Sequence, residues 1–197
     1  MEYNPNNTAV VVVDMQKDFC EEGGALYAEM SEEHVQPTVE LVDRARDVEV
    51  PVVFTKDVHP NQQFEDAHYY DEFERWGEHV VEGSVGAELV EPLQNRANTE
   101  DDDICVVEKH TYDAFYQTRL EGWLTAHGVD NLLIAGTLAN VCVLHTAGSA
   151  GLRDFRPVLV EDAIGAISAA DKEYAVDHAD WLFGETTTLD SVAFKQH

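Results

Sequence analysis

Five short apolar runs, each unbroken and most of them rich in Val or Ile, constrain this chain more than any other feature: Ala9–Val13, Val52–Thr55, Ile104–Val107, Leu132–Ala135 and Pro157–Val160. A strand with one wet face alternates apolar and polar residues. A run that never alternates is expected to be buried on both faces. Helical patterns separate the runs, and that alternation is the signature of a parallel sheet covered by helices.

The intervening helices read as follows. Val35, Val39 and Val42 share one helical face. Thr118 and Glu121 stand at capping-box spacing before Leu120, Trp123, Leu124 and His127, and Gly128 suits the stop. A helix is expected from Asn140 to about Arg153, and another carries the stripe Ala170, Tyr174, His178 and Trp181. The stretch from Pro60 to Leu93 breaks the rhythm and is expected to hold short helices and site loops.

The 197 residues fit one domain spanning 1–197. No run approaches the roughly 20 apolar residues of a membrane span, and no basic region precedes the first apolar run, so a cytoplasmic protein is expected. The net charge of −27, from 39 acidic and 12 basic side chains, opposes binding to nucleic acid or an anionic membrane. Such a surface suits a salty, well-screened solvent. The three cysteines, Cys20, Cys105 and Cys142, make no disulfide framework.

The strand ends carry the chemistry. Ligands of a parallel sheet bind beyond the carboxyl ends of its strands. Asp14 follows the first run, Asp57 and His59 the second, Lys109 the third, and Cys142 lies just past the fourth. One strand-end Asp is ordinarily a turn residue. An acid, an Asp-x-His pair, a lysine and a cysteine on one edge form a candidate site.

Cys142 is expected in the first turn of a helix, where free N–H groups favour a thiolate and can hold an oxyanion. A buried packing cysteine is the plain alternative. Asp14 could take the thiol proton and pass it to a leaving amine, and Lys109 would favour both anions. Cys105 reads as core, and Cys20, after Asp18-Phe19, is placed near the pocket with no assigned role. Asp57 and His59, two residues apart, can face one ion. His79 or His68 would supply a third ligand for Zn²⁺, Mn²⁺ or Fe²⁺. His34, His127, His145 and His178 read as packing or surface residues, and His110 either lines the site or braces a loop.

The segments VVVVDMQKDF, TKDVHP, Trp76-x-x-His79, EKHTYDAF and GTLANVCV occur in this order over roughly residues 8 to 160. Together they resemble the isochorismatase-like cysteine hydrolases, and the metal-type segment resembles that of nicotinamidases. The resemblance implies a doubly wound α/β/α sandwich with a six-stranded parallel sheet. It implies Asp14, Lys109 and Cys142 as a triad, and a divalent metal, zinc above manganese or iron, on Asp57, His59 and His79. It implies a cis peptide at Leu138–Ala139 and an oxyanion hole from the N–H groups of Ala139 and Cys142. Phe19 and Trp76 would sandwich a flat ring, with Tyr112 and Leu138 beside it. The implied reaction is hydrolysis of a small amide, nicotinamide first, through a thioester, in a homo-oligomer. Ureido or carbamoyl hydrolysis, isochorismate ether hydrolysis and a non-catalytic binding role are the alternatives. Gln63 replaces a usual histidine, Val80 a usual cysteine, and His110 to Phe115 a usual Ser-Tyr-Ser stretch.

Overall fold

A computed structural model describes residues 1–60 and 72–195. His68 and Gln63 lie outside the described residues. The strands are β1 Glu2–Tyr3, β2 Thr8–Val13, β3 Val52–Asp57, β4 Ile104–Lys109, β5 Asn131–Gly136, β6 Arg156–Ile164, β7 Glu185–Thr187 and β8 Ala193–Phe194. The α-helices are α1 Lys17–Cys20, α2 Glu29–Glu33, α3 Val35–Arg46, α4 Glu72–Trp76, α5 Glu91–Ala97, α6 Leu120–Ala126, α7 Leu144–Gly151 and α8 Ala169–Leu182.

Six strands form one parallel sheet in the order β4-β3-β2-β5-β6-β7, and β1 pairs with β8 to tie the two chain ends together. All five apolar runs are sheet strands, each extended by one or more polar residues. The sixth strand, β7, carries two threonines and no apolar run, so periodicity did not mark it. Side chains divide by the strand period of two. Val10 and Val12 pack with α3 and α5 in one core, whereas Ala9, Val11 and Val13 pack with α6, α7 and α8 in the other. The doubly wound α/β/α arrangement is thus the one expected.

Several local expectations change. Thr118 does not close a capping box: its hydroxyl accepts the Leu120 N–H, and Glu121 instead meets Arg153 at 3.2 Å. Gly128 does end α6, with φ +67°. The helix expected from Asn140 begins as a π-helical turn, Ala139–Val143, before α7. On α8, small Ala175 and Ala179 form the buried face, while Tyr174 and Trp181 of the expected stripe are exposed. Alanine lets the helix approach closely; the aromatics cannot fit there. Within Pro60–Leu93, the described residues hold α4 and the start of α5.

Strand order reverses between β2 and β5, which places a crevice at their carboxyl ends. Gly136 permits the close approach there: a Cβ would lie 2.1 Å from the Val13 carbonyl, and φ is +115°. Thr137 N–H then donates to that same carbonyl at 2.9 Å. No helix among the described residues is long and apolar enough to cross a membrane.

Candidate active site

Asp14 leaves β2 with φ +49°, a conformation tolerated best by Gly, Asn and Asp. Lys109 ends β4 and reaches beneath the sheet edge. Its Nζ lies 2.6 Å from Asp14 Oδ2, 3.5 Å from Cys142 Sγ and 3.7 Å from Asp57 Oδ2. Ligand atoms of Asp14, Asp57 and Cys142 all lie within 4.8 Å of one another. Three side chains from separate strand ends therefore meet.

The electrostatics differ from the expected thiolate. Burial, followed by the Asp14 and Asp57 carboxylates, outweighs Lys109 and holds the Cys142 thiol well above its ordinary pKa. Burial also raises the Asp14 pKa, against the pull of Lys109. Burial pushes Lys109 down, but Asp14 and Asp57 overcome it, and the lysine stays charged.

The cis peptide bond is Thr137–Leu138, one residue earlier than expected. The expected oxyanion donor Ala139 is also corrected: its N–H donates to the Gly165 carbonyl at 2.8 Å and is already committed. A donor spent on the protein cannot also receive developing charge without breaking that bond. The backbone N–H of Leu138 has no backbone acceptor among the described residues.

A second cluster adjoins the first. His59 Nε2 lies 3.5 Å from Asp57 Oδ2 and 3.4 Å from Glu72 Oε2, and His79 Nε2 lies 3.6 Å from Glu72 Oε2. The group whose atoms gather within 4.8 Å is His59, Glu72 and His79. Glu72 was not foreseen, because it lies in an acid-rich stretch with no strand end to single it out. Asp57, expected as a full member, sits between this group and Lys109.

These residues fit a divalent metal. Asp57 Oδ1 is buried without a hydrogen-bond partner among the described residues. Spacings of 3.4 to 3.6 Å match the edge of about 3.3 Å expected between ligands around a tetrahedral ion with bonds of about 2.0–2.1 Å. His79 Nδ1 meets the Gly77 carbonyl at 2.7 Å, which turns Nε2 inward. Two scaffold bonds hold the parts. Asp18 accepts the Val80 N–H at 2.7 Å beside His79. Gln16 bonds both the N–H and the carbonyl of Asp57, at 2.8 and 2.7 Å.

A cavity of about 540 Å³ joins the clusters, lined by Phe19, Trp76, Tyr112, Leu138, His79 and Cys142 among others. Phe19 is buried and Trp76 half exposed at the rim. His145 also lines the cavity, its ring centroid 5.7 Å from that of Tyr112. The sequence read it as a packing or surface residue, and it is an exposed rim residue. His110 is exposed and absent from the cavity wall. Cys20 and Cys105 are buried away from it, Cys20 with its sulfur 3.9 Å from that of Met15. A second cavity, of about 610 Å³, lies at the opposite end of the strands around Tyr3, Asn131 and Arg156, remote from the cysteine.

A parallel α/β sandwich with a buried Cys-Lys-Asp cluster beside a His/carboxylate group defines the class of hydrolase in which the comparisons place it. The isochorismatase domain model matches residues 8–191, and the chain belongs to that family. It is 34% identical over 165 residues to a probable inactive nicotinamidase of Arabidopsis thaliana, covering 81% of each. It superimposes on a cysteine hydrolase from Pseudomonas syringae pv. phaseolicola with a TM-score of 0.85 at 30% identity, covering 95% of this chain and 91% of that one. A pyrazinamidase of Pyrococcus horikoshii, solved in complex with zinc, matches with a TM-score of 0.79 at 26% identity, covering 92% and 99%. The chain is an isochorismatase-family amidohydrolase by kinship, with nicotinamidase-like relatives.

Proposed function

We propose that the protein hydrolyses a small, uncharged amide through a thioester on Cys142, with nicotinamide the first candidate. The observation that carries this reading is Lys109 Nζ, 3.5 Å from the cysteine sulfur and 2.6 Å from Asp14. Asp14 takes the Cys142 proton as sulfur bonds to the carbonyl carbon. The oxyanion is received by the N–H groups of Cys142 and Leu138. Collapse breaks the C–N bond, and Asp14 returns the proton to the departing ammonia. Water then attacks the thioester with Asp14 as base, releasing the acid and the thiol. Lys109 keeps Asp14 charged in a buried site that would otherwise neutralise it.

Asp57, His59, Glu72 and His79 would hold a divalent ion, zinc first, as in the zinc-bound pyrazinamidase. Bound there, the ion supplies Lewis-acid attraction for a ring nitrogen or other lone pair. Phe19 and Trp76 would flank a flat ring, with Tyr112 and Leu138 completing the slot. Among the described residues no Lys or Arg lines the cavity, which favours neutral amides over ureido acids carrying a carboxylate. Ureido or carbamoyl hydrolysis is the alternative within the class.

The test is ammonia release from nicotinamide, pyrazinamide, ureido compounds and simple amides, with and without chelator. Turnover of the aromatic amides, lost in Cys142→Ala while binding persists, is expected. Full activity in Cys142→Ala rejects the mechanism. Tight binding without turnover by the intact chain favours a non-catalytic role.

A further inference from the structure

The Asp14 carboxylate is held by a residue that touches neither the cavity nor the sulfur. Thr55, on β3 and fully buried, accepts the Asp14 backbone N–H at 3.1 Å and donates its hydroxyl proton to Asp14 Oδ1 at 2.6 Å. A hydroxyl has one proton and two lone pairs. Here the proton goes to the carboxylate and a lone pair to the amide of the same residue. Backbone and side chain of Asp14 are thus tied to one atom. Oδ1 is occupied, and Oδ2 is left without a well-angled hydrogen bond, 2.6 Å from Lys109 Nζ.

We infer that Thr55 is the positioning residue that orients the Asp14 carboxylate as the proton acceptor for Cys142. The inference rests on the cysteine reading above. A carboxylate has a broad χ2 well, so the ion pair with Lys109 alone would leave its plane free to turn, and the Thr55 bond to the other oxygen fixes it. The reaching strand is already paired with β2, with Val12 opposite Phe54, so the hydroxyl arrives on a rigid element. Asp57, two residues on, is held in the opposite sense by Gln16, just beyond β2. Each strand end thus fastens a residue of the other, Thr55 the carboxylate and amide of Asp14 and Gln16 the backbone of Asp57.

The experiment compares Thr55→Val, Thr55→Ala and Thr55→Ser with the parent protein and Cys142→Ser. One readout is steady-state hydrolysis of the best amide in the panel. The other is the rate of Cys142 alkylation by iodoacetamide, followed by mass spectrometry. In that step sulfur bonds to the methylene carbon, iodide leaves and Asp14 takes the thiol proton, so no physiological substrate is needed. Thr55→Val should lower kcat about 10- to 100-fold, the range of one misplaced catalytic group, with KM changed less than about twofold. It should slow alkylation in parallel, and Thr55→Ser should recover most of both rates. If Thr55→Val does not fold, Thr55→Ala carries the same expectation. Wild-type kcat and alkylation in the folded variant lacking the hydroxyl overturn the inference. So does Thr55→Ser as impaired as Thr55→Val, which would make the residue a packing element only. Full turnover in Cys142→Ser instead defeats the cysteine mechanism itself, a separate failure.

Discussion

Lys109 Nζ stands 2.6 Å from Asp14 Oδ2, and neither side chain is exposed. Removing one partner of such a pair strands the other charge in a low-dielectric site. Lys109→Met should therefore destabilise the fold by about 3–5 kcal/mol unless Asp14 takes a proton. Turnover should fall either way, because Asp14 is then either protonated or no longer held by its ion pair. Urea denaturation together with amide turnover checks it, and an active variant of wild-type stability contradicts the assigned role.

The same carboxylate sets an acid limit. Burial raises the Asp14 pKa, so on acidification it takes up its proton earlier than an ordinary aspartate near about 3.9. The base form disappears as pH falls through that raised value. In kcat/KM profiles at saturating metal, the acidic limb should lie above the ordinary aspartate range. A flat profile down to pH of about 4 would remove Asp14 as the essential base.

Glu72 should be a metal ligand in its own right. Glu72→Gln keeps the shape but removes the charge facing His59 and His79, at 3.4 and 3.6 Å. Metal affinity should fall by at least the roughly 10- to 100-fold that losing an outer partner costs. Competition with a fluorescent zinc chelator measures this. Undiminished affinity would return the site to Asp57, His59 and His79 alone.

Metal and proton compete for His59. Burial opposes its charge, but Asp57 and Glu72 outweigh burial and raise its pKa from 6.5 to about 9. Burial likewise opposes the Glu72 carboxylate, but the two histidines lower its pKa from 4.5 to about 2. In the metal-free protein the His59 contribution is full below pH 6.5 and lost as pH rises through about 9. That of Glu72 is full above pH 4.5 and lost as pH falls towards about 2. Metal reverses the first trend, because it needs His59 without its proton. Between pH 6.5 and 9 the Tm of chelated protein should fall, and the Tm gain from added zinc should grow. Parallel curves with and without metal would sever His59 from the ion.

The unbroken apolar runs determined the sheet strands, because a segment buried on both faces leaves no polar position to interrupt it. They also fixed which residues follow each strand, and so the approach of Asp14, Lys109 and Cys142 to one edge. Local signals failed where a longer-range contact outbid them. Glu121 pairs with Arg153 rather than closing a box with Thr118, and α8 buried its alanines rather than its aromatics. β7 is held by pairing with β6, not by apolar content.

Tertiary structure alone decided the electrostatics around Cys142 and the second cluster. The sequence pointed to a thiolate from a helix start and a nearby lysine. Burial beside two carboxylates raises the Cys142 pKa instead, and burial is a property of the assembled core. Glu72 joins His59 across chain segments with no shared periodicity, and Thr55 meets Asp14 only because β3 lies beside β2. Hydrophobic pattern acts over neighbours along the chain and is legible there. Charge, desolvation and hydrogen-bond choice act through space, and they are settled only when the strands stand side by side.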